Sequence, residues 1–227
     1  MVSTARCLCA RRFGNACEED MIQTGSKQTA SPEWWTFMSN PAGYVDAARL
    51  AQCFDGMIGE AACERMLQSQ RLHERLSKLL LDHYGLTRAV SDEPADEVDR
   101  AIALSTGVEL EELALRAGAI YWAGSLAAVI DGREAAALQA ALGADLCAIA
   151  VANRDLAGPV QPLEPLEDIH RRVYADGLSC LGAWCQAMPG DTSKRVRLKL
   201  LPHEHIDKTT AKPFSEAGPA IVRRAMS

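Results

Sequence analysis

Apolar residues along the chain recur mostly at three- and four-residue intervals, the spacing of one face of an α-helix. From Glu60 to Tyr84, Ala62, Met66, Leu72, Leu76, Leu79, Leu80 and His83 keep that spacing, while Glu64, Arg71, Glu74, Arg75 and Lys78 fall on the other side. One long amphipathic helix is predicted there, with Gly85 as its stop. A polar linker, Thr87 to Pro94, leads into a short helix around Asp96 to Leu104. Thr106 and Glu109 form a capping-box pair that opens a helix through Leu113, Leu115, Ile120, Tyr121, Leu126 and Ile130, and Asp131-Gly132 reads as its end. Two Ala/Leu-rich helices, 133–142 and 144–157, are separated by Gly143 and closed by Gly158-Pro159. After a connector carrying Pro159, Pro162 and Pro165, the best-defined stripe runs through Leu166, Ile169, Val173, Gly177, Cys180, Trp184 and Met188, which makes Trp184 a core residue.

The two ends break this pattern. Residues 1–31 follow neither the helical nor the strand period and read as a flexible leader. Ordered structure is predicted to begin at Ser31-Pro32-Glu33, a helix start with proline at the first helical position. Trp34, Trp35, Phe37 and Tyr44 follow within a few residues, an aromatic cluster suited to pinning a terminal segment to a core. Near the other end, Pro189-Gly190-Asp191 reads as a turn, and Arg195-Val196-Arg197-Leu198-Lys199-Leu200 alternates with period two, as a strand does. No second strand offers to pair with it. The predicted fold is therefore mainly α. A compact multi-helix domain over 32–203 ends in one short C-terminal strand or extended basic segment, and 204–227 form a basic tail.

Composition narrows the function. With 227 residues, 48% of them hydrophobic, the chain can bury one sizeable core. A net charge of -6 argues against a general nucleic-acid binder. That charge is unevenly divided: eight carboxylates face one arginine between Asp92 and Glu112, whereas eight basic residues face three acidic ones from Thr192 to Ser227. The acidic stretch is free to pair with the basic tail or with a partner. The eight cysteines include no Cys-x-x-Cys, which suits a reducing cytoplasm better than a disulfide scaffold. The longest charge-free run, Ala117 to Ile130, has 14 residues, short of the roughly 18 that a membrane span needs. It reads as a buried helix, so no direct membrane insertion is expected.

Candidate chemistry is sparse. His203-Glu204-His205 joins two imidazoles and a carboxylate, but zinc needs third and fourth ligands that no neighbouring residue supplies, so an exposed polar loop and no metal is the reading. His73 and His83 flank a leucine-rich face as structural or rim residues, and Cys180 and Cys185 read as small core hydrophobes. No glycine-rich phosphate cradle, nucleophile elbow or isolated carboxylate pair appears, and no catalytic residue or cofactor is assigned. Arg195, Arg197 and Lys199 on one face of the expected strand offer either a charge-protected edge or a docking surface.

The order of segments resembles the SctK family of type III secretion systems, the relatives of YscK and PscK. Phe37-Met38-Ser39-Asn40-Pro41-Ala42-Gly43-Tyr44-Val45 is similar to an early family segment in which an aromatic precedes a Pro-Ala-x-Tyr group. The run Glu112 to Gly118, continued through Ile130-Asp131-Gly132-Arg133-Glu134, resembles the central helical pair, with the helix through Leu142 to Gly158 following in place. Gly177-Leu178, Trp184, Met188, Lys194-Arg195 and Leu198 to Pro202 are similar to the C-terminal helix, turn and Arg/Leu-alternating segment. The likeness covers about residues 34 to 203. It implies a helical, non-enzymatic cytoplasmic adaptor of the sorting platform, peripheral at the inner-membrane face. Its partners would be an SctD-like inner-membrane ring protein and an SctQ-like pod protein, and indirectly SctL and the SctN ATPase. Trp34, Trp35 and Tyr44 at one end and Arg195, Arg197 and Lys199 at the other are the expected partner-binding residues. Two rivals from other classes are a helical small-molecule-binding protein or enzyme, with a pocket among 109–157, and a secreted effector with Met1 to Ala30 as its export signal.

Overall fold

A computed structural model describes residues 30–227, so the predicted leader lies outside the described residues except for Ala30 and Ser31. Helix α1 (Pro32–Ser39) starts where expected. The Ser31 side chain accepts a hydrogen bond from the Trp34 N–H, and Ser31 is itself tied to the Glu93 carboxylate through its N–H and its hydroxyl, both at 2.9 Å. A 3-10 turn over 41–43 leads to α2 (Ala47–Gln52), capped by Asp46. The long helix predicted over 60–84 is two helices, α3 (Glu60–Leu67) and α4 (His73–Tyr84), separated by a bend and a 3-10 turn. Both bury the same apolar stripe, which is why the period runs on through the break. Gly85 ends α4 in a left-handed conformation (φ 57°), a conformation that costs glycine nothing.

Helix α5 (Glu97–Leu104) is capped by Asp96, and α6 (Gly107–Tyr121) opens on the complete Thr106/Glu109 capping box. Trp122 breaks the run, and a single turn, α7 (Ala123–Leu126), follows. Asp131 opens a helix where the sequence reading had it end one. Its carboxylate accepts from the Arg133 and Glu134 N–H groups at the start of α8 (Gly132–Leu142), and α9 (Ala144–Ala152) follows. The predicted amphipathic stripe becomes α10 (Ile169–Ala187).

The predicted strand is a helix. Residues 190–198 form α11 (Gly190–Leu198), with Asp191 and Arg195 paired one turn apart, and no strand occurs among the described residues. Period two over six residues cannot exclude a helix that is buried nearly all round, because inward-facing cations and apolar residues then alternate by coincidence. The predicted basic tail is likewise no appendage. It folds into α12 (Glu204–Asp207) and α13 (Phe214–Met226), which place Ile206, Ile221, Val222 and Ala225 in the core.

Helix α10 is the axis of the larger core, packed between α6 and α13. It crosses α6 backbone to backbone: a Cβ added to Gly177 would lie 1.8 Å from the Ala114 oxygen, and one on Gly118 2.0 Å from the Val173 oxygen. Any side chain at either position would force the helices apart. Trp184 is fully buried and donates its indole N–H to Asp99 at 2.8 Å. A smaller core gathers Ala42, Val45, Leu50, Cys63, Leu76, Leu80 and Leu86 from the α2–α4 end around Leu198 of α11. Helix α11 therefore stands between the two cores.

Candidate partner-binding surfaces

The cations of and around α11 point mainly inward, and their partners are backbone carbonyls at helix ends. Arg195, wholly buried, donates to the Met38 oxygen at the end of α1 through Nε (3.2 Å) and Nη2 (2.9 Å), to the Thr87 oxygen at 2.7 Å, and to the Asp191 carboxylate. Lys194 Nζ reaches the Tyr84 and Gly85 oxygens at the end of α4. Lys199 Nζ donates to the Ala103 and Ser105 oxygens at the end of α5, at 2.7 and 2.6 Å. Each helix end carries unsatisfied carbonyls and a partial negative charge, which these cations satisfy, Arg195 and Lys199 from buried positions and Lys194 from an exposed one. Arg195 and Lys199 thus do not form the exposed basic face read from the sequence, and Arg197 is half-buried.

The expected aromatic cluster divides in two. Trp34 is fully buried, with its indole N–H donating to the Ser91 oxygen at 2.9 Å, and it packs against Phe37, which packs in turn against Tyr44. Tyr44 and Lys199, remote in sequence, meet here: the ammonium lies 4.6 Å from the Phe37 ring centre and 5.2 Å from that of Tyr44. Both residues line a cavity of about 630 Å³ between α1 and the α5–α6 junction, with Pro32, Thr36, Leu104 and Thr106 in its walls. Burial pushes the Lys199 ammonium down to about 7, with the Glu109 carboxylate pulling the other way, and burial pushes the Tyr44 phenol well above its ordinary range.

Trp35 sits on the opposite side of α1 and is 58% exposed. It shares a wide polar groove of about 830 Å³ with His73, Glu74, Arg75, Lys78 and Arg88. Arg75 and Lys78 are exposed, and Arg88 is paired with Asp82 at 3.1 Å. A large amphipathic ring beside several exposed cations has the composition of an interface hot spot. Sequence reasoning placed Arg71, Arg75 and Lys78 on the polar helix face and missed the proximity of Arg75 and Lys78 to Trp35, which only the fold reveals.

One carboxylate of the acidic stretch, Asp99, pairs with the C-terminal segment inside this chain. Asp99 accepts from Arg223 at 2.8 and 2.9 Å as well as from Trp184, joining α5, α10 and α13. Burial raises its carboxyl, but those donors overcome the effect and hold it below the usual range. Among the described residues no cluster of potential metal ligands converges. Burial pushes the Cys185 thiol up to about 11 and the Cys180 thiol further, the opposite of an activated nucleophile. Ser179 Oγ and His205 Nδ1 lie 3.0 Å apart, but Ser179 is buried and Asp176 accepts from the Trp122 indole at 2.7 Å. That contact joins α12 to α10. No single helix among the described residues is long and apolar enough to cross a membrane; only the pair α8 and α9, bent by 111°, reaches the required length and composition together.

Comparison with known proteins gives one matching family, described as YOP proteins translocation protein K (YscK), over residues 33–226. Two curated relatives are both named Nodulation protein NolU. That of Sinorhizobium fredii (strain NBRC 101917 / NGR234) is 28% identical over 179 residues, covering 79% of this chain and 81% of the relative. That of Rhizobium fredii is 29% identical over 162 residues, covering 71% and 73%. No solved structure matches the chain.

Proposed function

The chain belongs to the YscK family of type III secretion proteins, and from that premise we propose that it is a non-enzymatic cytoplasmic adaptor of the sorting platform. In this reading it sits at the inner-membrane face of the apparatus and links the cytoplasmic part of an SctD-like ring protein to an SctQ-like pod protein, and through that to SctL and the SctN ATPase. An adaptor needs two separate surfaces on a rigid body rather than a reactive centre. The observation that directs the reading to a surface is Trp35, exposed in a groove with Arg75, Lys78 and Arg88 on a chain whose net charge is -6. Such a groove suits an acidic partner surface that also offers an apolar pocket for the indole.

The test is co-purification of the full chain with the ring protein's cytoplasmic domain and with the pod protein of the same system, separately and together. A ternary complex is expected. Trp35→Ala should weaken one of the two contacts by about 2 kcal/mol or more, the range of an aromatic hot spot, and leave the other unchanged. Lys78→Glu should weaken the same contact, the more so at low salt. Failure of the wild-type chain to bind either protein would end the adaptor reading. Unchanged binding of both by the Trp35 variant would move the contact elsewhere.

A further inference from the structure

We infer that the groove between α1 and the α5–α6 junction is a docking site for a partner segment that presents a single carboxylate beside an apolar side chain, with the carboxylate meeting the Lys199 ammonium. The inference rests on the adaptor reading only in taking the occupant to come from another protein. Its basis is a charge imbalance inside an apolar cavity. Phe37, Tyr44, Leu104 and Pro32 give the groove its apolar walls, and Lys199, 6% exposed, lies among its lining residues. An ammonium group has three N–H donors, and two of those of Lys199 go to the Ala103 and Ser105 oxygens. Among the described residues no carboxylate lies within ion-pair distance of it; Glu109, which favours its charged form, is held in the capping box, where its Oε2 accepts from the Thr106 N–H at 2.7 Å.

The Lys199 ammonium is met by two carbonyls and the faces of Phe37 and Tyr44, all of them neutral, so an incoming carboxylate would supply the missing countercharge and a charge-assisted hydrogen bond. The amino end of α6 opens on the same groove at Thr106 and Gly107. Its partial positive charge adds to the attraction for an anion. Glu33 on the wall and Glu109 nearby oppose any anion, and a doubly charged group such as a phosphate about twice as strongly as a single carboxylate. The cavity of about 630 Å³ is large enough for a carboxylate-bearing side chain and an apolar neighbour together.

The groove can be probed without any partner protein, so its failure is distinguishable from failure of the adaptor reading. The probe is 3-phenylpropionate, with its uncharged amide, 3-phenylpropanamide, as the comparison, each titrated into the full chain on the acid side of the value of about 7 to which burial pushes Lys199, and followed by the backbone amide resonances. The acid should shift Thr36, Gly43, Thr106 and Gly107 and bind about 10-fold or more tightly than the amide, the fold-change expected for one charge-assisted hydrogen bond. Lys199→Met should bring the acid down to the affinity of the amide. Equal affinities for acid and amide, no binding of the acid, or shifts confined to other residues would overturn the inference. Should Lys199→Met fail to fold, the acid-to-amide ratio on the native chain decides alone.

Discussion

Two sets of three cations, each within eight residues of sequence, have opposite roles. Arg71, Arg75 and Lys78 stand on and just before α4 and are exposed, and Arg75 and Lys78 share a groove with the exposed Trp35. Lys194, Arg195 and Lys199 stand on and just after α11, and between them they hold the carbonyl ends of α4, α1 and α5. The difference lies in what surrounds each helix. Helix α4 has one apolar face and one open face, whereas α11 is packed between the two cores, with three helices ending against it. The cations on and beside α11 therefore act as internal caps, whereas those along α4 form a free surface. Basic character in a sequence does not distinguish the two, because a cation meets an orphan helix end as readily as it meets a partner.

The sharpest way to break this comparison is Arg195→Met, which deprives the Met38 oxygen of two donors and the Thr87 oxygen of one, and leaves Asp191 without its arginine. Removing one partner of a buried charge network costs about 3–5 kcal/mol, and the denaturant midpoint should fall accordingly. A loss below about 1 kcal/mol, the level of an exposed pair, would show that Arg195 is not the inner clamp the fold makes it.

Asp99→Asn comes next, at about 2–3 kcal/mol, because the amide keeps the shape but gives up charge-assisted bonds to Arg223 and weakens the one from Trp184. The effect has a pH signature. The Asp99 carboxyl is depressed in the folded chain, so its contribution is present above the carboxyl's unfolded value and is lost as pH falls through the folded one. Wild type should lose stability on acidification more steeply than the asparagine variant; parallel acid curves would count against the pair.

Lys199→Met should act at the other end of the pH axis, with the same sign. The ammonium has an ordinary value of 10.5 and is pushed down to about 7 by burial, with Glu109 opposing. Between those two values the unfolded chain holds a proton that the folded chain has released, so this group makes stability rise with pH through that window. Glu33, Tyr44 and Glu109 are the other titrating groups at the site. Methionine keeps the length of the side chain and removes the titration. Relative to the variant, wild type should gain stability as pH climbs from about 7 towards 10.5, measured by urea midpoints at stepped pH. A flat difference would mean the group keeps its proton throughout.

Local signals in the sequence were legible because they act over one helical turn. Ser31-Pro32, the Thr106/Glu109 box and Gly85 all do in the fold what their spacing says, and Trp184 is the core residue its stripe predicts. What misled was the reading of short windows without their tertiary surroundings. Asp131 followed by Glu134 is as good a helix start as Asp-Gly is a helix stop, and the start won. The Arg/Leu alternation of 195–200 hid a helix whose own signal, the Asp191–Arg195 pair at i, i+4, was available. The surface around Trp35 was half legible. Its aromatic stood in the candidate set, but the cations beside it come from a helix about forty residues on, and no local pattern joins them.

The smallest effect on stability belongs to the exposed set, and it completes the comparison. Replacing Arg71, Arg75 and Lys78 together by serine removes three cations that no buried carbonyl depends on, and the serines cost α4 only some helix propensity. Substitutions on such a face usually stay within about 0.5 kcal/mol each, so the thermal midpoint should move little and helical circular dichroism should be retained. Binding is where the triple variant should differ. If the α4 face is a docking surface, association with one platform partner should weaken, chiefly through a slower on-rate, and the residual binding should lose most of its salt dependence. The Arg195 variant is the mirror image, failing in stability before any contact can be measured. Should the serine variant unfold as readily as the arginine one, the two sets of cations would not be distinct, and the division between inner clamp and outer surface would fall with them.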